Sequence, residues 1–486
     1  MTVDPTQVPV EAPKPAVAPT LSRALGLFDI TMLVMGSVIG VGIFVVPHDV
    51  AQLVHTPGLI LVAWVLGGVV SLAGSLVYAD LTRRRPHVGG QYAFLREAYH
   101  PVVAFLYGWC LLWVIQSGGM ASVAVVFARY SLELVGLFAA NLPGSPAQTP
   151  GATAGDTRAG AAVAAVTIAC LTAINCLGVR TGSTAQNLFM VLKILAIGTL
   201  IACGLAEMHA SAGGPVGEVP NSPGGWRIAP ALAAAMVPVL FAYGGWHTTT
   251  FMAAEVRDAP RNLPRGLILG VMGVTVLYLG VNIVCVQVLG VVDLAVNGSP
   301  ASDVMRRALG APGAVLLSAG IAVSAIGFLS QAVLTSPRVY YAMARDGLFF
   351  QSVARVHPRT RVPILAILLQ GAFATIIAVS GTFHQIVNYV MSVELVFLAL
   401  TALSLFIFRR RDAAAGIVRH DAVPGHPVTT LLFSLATLAV VCAEFYEYPI
   451  NSAIALGIAA SGIPVYAFWR RTNRGQNNSG TFVGDE

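Results

Sequence analysis

Charge is scarce in this sequence. Of 486 residues, 10% are charged and 56% are hydrophobic, and the mean hydropathy is +0.76. That balance excludes a soluble globular chain of this length and describes one that crosses a bilayer many times. Lysine is almost missing, with only Lys14 and Lys193. The sequence has no H-E-x-x-H, no G-x-x-x-x-G-K-[ST] and no C-x-x-C, which argues against an enzyme, against a metal or other cofactor, and against ATP-driven transport by this chain alone. Cysteine is limited to Cys110, Cys170, Cys176, Cys203, Cys285 and Cys442. All six fall in apolar stretches at no metal-ligand spacing, so they read as small core residues. The net charge of +6 comes from arginines spread over short loops, which is a topology signal and not a nucleic-acid surface.

What the chain has in quantity is long apolar runs. Twelve are of spanning length, at about 27–48, 58–81, 102–134, 160–178, 187–206, 230–255, 266–291, 313–343, 362–380, 386–408, 427–443 and 449–469. With the N-terminus inside, the inner loops collect Arg83, Arg84, Arg85, Arg96, Arg257, Arg261, Arg265, Arg345, Arg409, Arg410, Arg411, Arg470 and Arg471, and the outer loops hold few. This asymmetry places both termini in the cytoplasm, and the chain is expected in the cell (plasma) membrane. Residues 1–21 form a Pro/Ala-rich tail expected to be disordered, without the basic-then-apolar order of a cleaved signal. The outer loop around 139–159 is rich in Gly, Pro and Ala and is expected to be mobile.

Two of the runs are interrupted in their cores. The first contains Gly36-Ser37-Val38-Ile39-Gly40-Val41-Gly42-Ile43-Phe44. Glycines there cost about 1 kcal/mol each against alanine, and backbone freed at membrane depth survives only where protein or a cavity satisfies it. The sixth contains Phe241-Ala242-Tyr243-Gly244-Gly245-Trp246-His247, with Pro238 just before it. Runs one and six would each open a five-helix unit of opposite direction, and matched broken helices are the best sequence pointer to a transport site. The alternative for Gly36-xxx-Gly40 is a helix-packing motif, which Gly42 and the second break weaken.

A few polar residues stand out against this background. Lys193 is an ammonium inside the fifth run, about two turns from its inner end. It is suited to hold the carbonyls of the first break as a bound metal cation would; snorkelling to the interface is the alternative. Glu394 is the one acidic residue well inside a run, either a proton site or a helix-packing partner. Glu255 and Asp80 lie at inner helix ends, where pairing with arginines is expected. Phe241 and Trp246 flank the second break as a gate and pocket wall, or as core. His247 titrates near neutrality unless it is a hydrogen-bonded structural residue.

The two breaks, with Pro86-His87-Val88-Gly89-Gly90-Gln91-Tyr92, Arg257-Asp258-Ala259-Pro260-Arg261-Asn262-Leu263-Pro264 and Arg338-Val339-Tyr340-Tyr341-Ala342-Met343-Ala344-Arg345-Asp346-Gly347, resemble the amino acid–polyamine–organocation superfamily, within it the bacterial relatives of L-type amino-acid transporters. The matching motifs run from about residue 22 to 410 in family order. The resemblance implies an all-α polytopic membrane protein of about 12 transmembrane helices. These form a leucine-transporter-like 5+5 inverted repeat (22–206 and 207–408), followed by a loop with two C-terminal helices (409–470) and a tail (471–486). It implies that a substrate carboxylate meets the N–H groups of Ile39, Gly40, Val41 and Gly42, and that its amine meets the carbonyls of Phe241, Ala242 and Gly244. Phe241 would gate the site and Trp246 line the side-chain pocket. Lys193 matches the lysine that replaces a sodium ion in sodium-independent members, which leaves proton symport or amino-acid exchange, with Glu394 as a further coupling residue.

The sequence departs from the L-type pattern at Val41, where those carriers have serine, and at His247, where they have asparagine. Both departures put the L-type substrate range in question. The loop between runs three and four has no cysteine, so a disulfide-linked accessory subunit is not expected; the chain would work as a monomer or homodimer with an amino-acid substrate in a lipid bilayer. Two rival readings remain, an amine or polyamine permease and a non-transporting amino-acid sensor.

Overall fold

The computed structural model describes residues 21–140, 158–210, 225–296, 298–380, 383–417, 425–447 and 449–477. The N-terminal tail, most of the 139–159 loop and the end of the C-terminal tail lie outside the described residues. The helices are α1 (Leu27–Val38), α2 (Gly42–Val54), α3 (Pro57–Arg84), α4 (Gln91–Ala98), α5 (Pro101–Cys110), α6 (Gln116–Ala140), α7 (Arg158–Cys176), α8 (Val179–Ala210) and α9 (Ile228–Ala242). They continue as α10 (Ala259–Val296), α11 (Pro300–Leu309), α12 (Ala311–Thr335), α13 (Pro337–Arg345), α14 (Ile364–Ser380), α15 (Phe383–Ala414), α16 (Val428–Glu447) and α17 (Pro449–Asn477). A π-helical turn (Leu111–Ile115) joins α5 to α6, and a 3₁₀ helix (Trp246–Glu255) follows α9. Among the described residues the only β pairing is an isolated Leu25–Val256 bridge.

Among the described residues ten helical stretches are long and apolar enough to cross a membrane, and α1 with α2, bent by 43° at their junction, makes an eleventh. Residues Ile364–Val379 form a shorter apolar helix. Large apolar side chains such as Val276, Ile376, Leu435, Val166 and Leu195 point outward and are more than half exposed. Polar side chains such as Gln116, Gln186, Asn282, Gln331 and Gln370 are buried. Apolar surface outside and polar groups within suit lipid as the solvent, and the chain is a multi-pass membrane protein.

Local sequence explains several boundaries. Thr56 caps α3 by accepting from the Leu59 N–H at 3.4 Å, with Pro57 in the first helical position. Asp29 returns to the Gly26 N–H at 2.9 Å to start α1. α8 begins at Val179, earlier than its apolar run, because Ser183 and Gln186 are buried against other helices and not turned to water. Lys193 therefore lies about four turns into the helix, and it is fully buried; this rules out snorkelling. The reading of all six cysteines as core residues needs correction. Cys110 and Cys285 are buried, Cys176 and Cys203 are partly covered, and Cys170 and Cys442 are exposed on outward helix faces. An apolar run shows that a residue is in a span but not which side of the helix it occupies.

The arginine-rich end of the bundle is tied by ion pairs. Asp80 meets Arg84 (2.9 Å) and Arg409 (2.6 Å), Arg84 also reaches Asp412, Arg85 meets Glu97 (2.9 Å), and Arg96 meets Asp346. Deeper in, Glu255 and Arg338 form a two-pronged pair at 2.7 and 3.2 Å with both side chains fully buried. The Glu255 carbonyl accepts the N–H groups of Ala24 and Leu25 (3.0 and 3.1 Å), so the chain entering α1 is fastened to the end of the 3₁₀ helix. Removing one partner of such a pair strands a buried charge, at a cost of about 3–5 kcal/mol. Glu255→Ala is therefore expected to lower the melting temperature of the detergent-solubilised protein sharply, and Glu255→Met with Arg338→Met to recover most of the loss. Equal melting of the single variant and the wild type would show that the pair is not structural.

Candidate functional site

The site is built from the two helix breaks. At the first, α1 ends as Ile39 turns to extended backbone (φ −74°, ψ 93°), and α2 restarts at Gly42. The carbonyls freed by this break are satisfied from three neighbouring helices. Lys193 of α8 donates its Nζ to the Gly36 carbonyl at 3.2 Å and to the Ile39 carbonyl. Ser324 of α12 donates to the Gly40 carbonyl at 2.8 Å. The Tyr278 hydroxyl of α10 lies 3.1 Å from both the Val38 and the Ala242 carbonyls, so it touches both breaks. A Cβ on Gly327 would sit 2.6 Å from Lys193 Cε; that glycine leaves the slot through which the lysine reaches α1.

At the second break, α9 stops at Ala242 and the chain turns through Tyr243, Gly244 and Gly245 into the 3₁₀ helix. Gly245 has φ +100°, and a Cβ there would stand 2.3 Å from the Ser37 carbonyl oxygen. Glycine is needed on both counts, and its smallness lets the two breaks touch. Gly42 packs closely, though less tightly, on Ala242, where an added Cβ would be 3.3 Å from the Ala242 Cα. A ten-residue 3₁₀ run is long for that conformation and is often found at functional hinges.

Between the breaks lies a cavity of about 90 Å³. Gly40, Val41 and Gly42 line it from the first break; Phe241, Ala242 and Gly244 line it from the second, with Thr248 beyond. Gln116 follows the π-helical turn, Phe328 and Gln331 come from α12, and Glu394 comes from α15. Gln331 donates to the Thr248 hydroxyl at 2.9 Å. Among the described residues no three His, Cys, Asp or Glu side chains converge as a metal-ligand set.

The residues singled out in the sequence divide between the cavity and its surroundings. Gly40, Val41, Gly42, Phe241, Ala242, Gly244 and Glu394 share the cavity wall. Ile39 does not, because its N–H goes to the Met35 carbonyl (2.8 Å) and its own carbonyl to Lys193. The Gly40 N–H is likewise engaged, by Val38 at 2.9 Å. The expectation of four N–H groups open to an anion is thus corrected: those of Ile39 and Gly40 are taken, while Val41 and Gly42 stand at the start of α2, where no preceding helical turn supplies an acceptor. Of the three carbonyls expected to face an amine, that of Phe241 accepts from Gly244 N–H (3.0 Å) and that of Ala242 shares the Tyr278 hydroxyl with Val38. The Tyr243 N–H also points at the Phe241 carbonyl, so both lone pairs of that oxygen are taken.

Trp246 is off the wall. It packs edge-on to Tyr78 (5.0 Å between ring centroids) and beside Phe433 (6.1 Å). With three residues per turn, Gly245 and Thr248 share the cavity stripe and Trp246 falls a third of a turn away. His247 is buried beside Glu394, Nε2 to Oε1 3.5 Å. Tyr278, Ser324, Gly327 and the π turn are site elements that the sequence reading did not single out; a hydroxyl or a glycine inside an apolar run was the available signal.

A bundle of apolar helices with two apposed breaks, a cavity between them and a buried ammonium holding the unwound backbone is the architecture of a membrane permease. Residues 25–468 match the family described as amino acid permease, and the chain belongs to that family. It is 28% identical over 449 residues to the serine/threonine exchanger SteT of Bacillus subtilis (strain 168), covering 92% of this chain and 96% of the relative. It is 30% identical over 393 residues to the human b(0,+)-type amino acid transporter 1 (80% and 77%). To the mouse large neutral amino acids transporter small subunit 2 it is 26% identical over 459 residues (93% and 82%). These relatives are amino-acid transporters and not enzymes.

Filling the Gly327 slot tests the clasp without touching the cavity residues or Lys193. Gly327→Val is expected to displace the ammonium from the Gly36 and Ile39 carbonyls, lower the detergent melting temperature and abolish amino-acid uptake, whereas Gly198→Val on open helix surface should do neither. Wild-type behaviour of Gly327→Val would mean that the clasp is dispensable.

Proposed function

We propose that this chain is a secondary active transporter that moves amino acids across the plasma membrane by alternating access, independently of sodium, through amino-acid exchange or proton symport. The observation that carries this reading is the pair of breaks meeting at one cavity, with Lys193 bonded to the first break where an inorganic cation would otherwise be needed. The free N–H groups of Val41 and Gly42 at the head of α2 suit a substrate carboxylate, and the backbone carbonyls at the end of α9 suit its amine. Phe241, partly exposed on the cavity wall, is the gate. An amine-only substrate would leave the α2 donors unanswered, which favours amino acids over polyamines. The name of the Bacillus subtilis relative, an exchanger, supports exchange.

In this reading the spans number twelve. The broken pair α1–α2 and the α9–3₁₀ segment open two inverted five-helix repeats (22–206 and 207–408), α16 and α17 stand outside them, and the arginine-rich end with both termini is cytoplasmic. The carrier needs no disulfide-linked accessory subunit. Radiolabelled amino-acid uptake into proteoliposomes, with and without a proton gradient and with and without internal substrate, tests the proposal. Uptake is expected without sodium, and Lys193→Ala is expected to abolish it while the protein stays folded and inserted. Binding without flux would make the chain a sensor, and flux of polyamines alone would sink the amino-acid assignment.

A further inference from the structure

The proposed function puts an amino acid in this cavity, and on that reading the charge balance of the site bears on which amino acids fit. A bound zwitterion has both its charges answered by backbone, and Lys193 has its own carbonyls at Gly36 and Ile39. That leaves Glu394, the single charged side chain among those lining the cavity. It stands on α15 among Val390, Met391, Leu395 and Leu398, with only 15% of its side chain exposed. A carboxylate on such a wall requires a counter-charge or a proton.

His247 is the nearest group able to supply one, 3.5 Å away, yet it is poorly placed to stay charged. An imidazolium has two N–H donors to satisfy. His247 Nδ1 is buried without a hydrogen-bond partner, and the rings around it are those of Trp246, Tyr78 and Phe251. Among the described residues, the other titratable side chains turned toward Glu394 are Tyr78 of α3 and Tyr107 of α5, phenols that supply no positive charge. Ser392, about 200° around α15 from Glu394, turns instead toward Ser452 of α17 (3.0 Å), which also approaches the Glu444 carbonyl of α16. Compensation for the Glu394 charge therefore falls to whatever occupies the cavity.

We propose that Glu394, oriented by His247, reads the substrate side chain and accepts either a cationic side chain or a proton, so that cationic amino acids travel alone and neutral ones travel with a proton. The two loads carry the same total charge. A cationic side chain pairs with the ionised carboxylate directly. With a neutral side chain, a proton from the aqueous side binds a Glu394 carboxylate oxygen, enters with the substrate and leaves to the opposite side. Neutral His247 acts as a positioning residue, packed beside the carboxyl with Nε2 3.5 Å from Oε1.

The test uses the full chain in proteoliposomes with radiolabelled lysine and alanine and a trapped pH dye. Lysine uptake by the wild type is expected to fall in acidic external buffer, where protons compete for Glu394. Alanine uptake is expected to rise in the same buffer and to acidify the lumen. Glu394→Gln should lower the apparent affinity for lysine about thirtyfold or more, remove the dependence of alanine uptake on external pH and silence the dye, with an unchanged size-exclusion profile as the folding control. His247→Asn should shift the pH profile of alanine uptake while lysine is still carried. Alanine flux with a wild-type pH profile and dye signal in Glu394→Gln would overturn the assignment, as would exclusion of lysine by a wild type that moves alanine without protons. If the wild type moves no amino acid at all, the transporter reading fails with it, so the two failures are distinguishable.

Discussion

The interaction on which the rest of the structure depends is the bond between the Lys193 ammonium and the carbonyls of Gly36 and Ile39. An unwound backbone inside an apolar bundle has no water to complete its hydrogen bonds, and each open group costs several kcal/mol. A fixed cation answers two carbonyls at once and is itself buried only because they answer it. The surrounding choices follow from that pairing. Gly327 is small so that the lysine can pass, Ser324 covers the Gly40 carbonyl that the ammonium does not take, and Tyr278 covers Val38. With the carbonyls satisfied, Val41 and Gly42 stand on the cavity wall at the positive end of α2.

The second break is arranged differently. Its turn is held by local bonds, Gly244 N–H to Phe241 and Thr248 N–H to Gly245, and by the left-handed backbone of Gly245. It carries no charged clasp of its own, and its contact with the first break is made through Tyr278 and through glycines set against backbone. One break is therefore anchored to the scaffold helix α8, while the other continues into a 3₁₀ helix whose far end is locked by the Glu255–Arg338 pair. That pair and the Asp80, Arg84, Arg409 and Asp412 cluster tie the helices together at the arginine-rich end.

Much of this was legible in the sequence because the bilayer penalises exceptions. A lysine, a carboxylate or three close glycines in an apolar run are costly enough to stand out one at a time, and Lys193, Glu394 and both breaks were found that way. What could not be read depends on which face of a helix meets which neighbour. Trp246 was expected on the pocket wall, but the 3₁₀ winding turns it toward Tyr78 and Phe433. Ile39 was expected to offer its N–H, but the last turn of α1 uses it. Cys170 and Cys442 face outward although hydropathy places them in spans as surely as Cys285. The start of α8 was set too late, since buried Ser183 and Gln186 look the same in sequence as residues at a water interface. The π-helical turn before Gln116 has no compositional mark at all.

The 3₁₀ helix after the second break also stores length. Ten residues wound at about 2.0 Å of rise span some 5 Å more than the same residues wound as an α-helix at 1.5 Å. Because Glu255 is paired with Arg338 and holds the N–H groups of Ala24 and Leu25, that extra length fixes how far from the cavity the start of α1 is fastened.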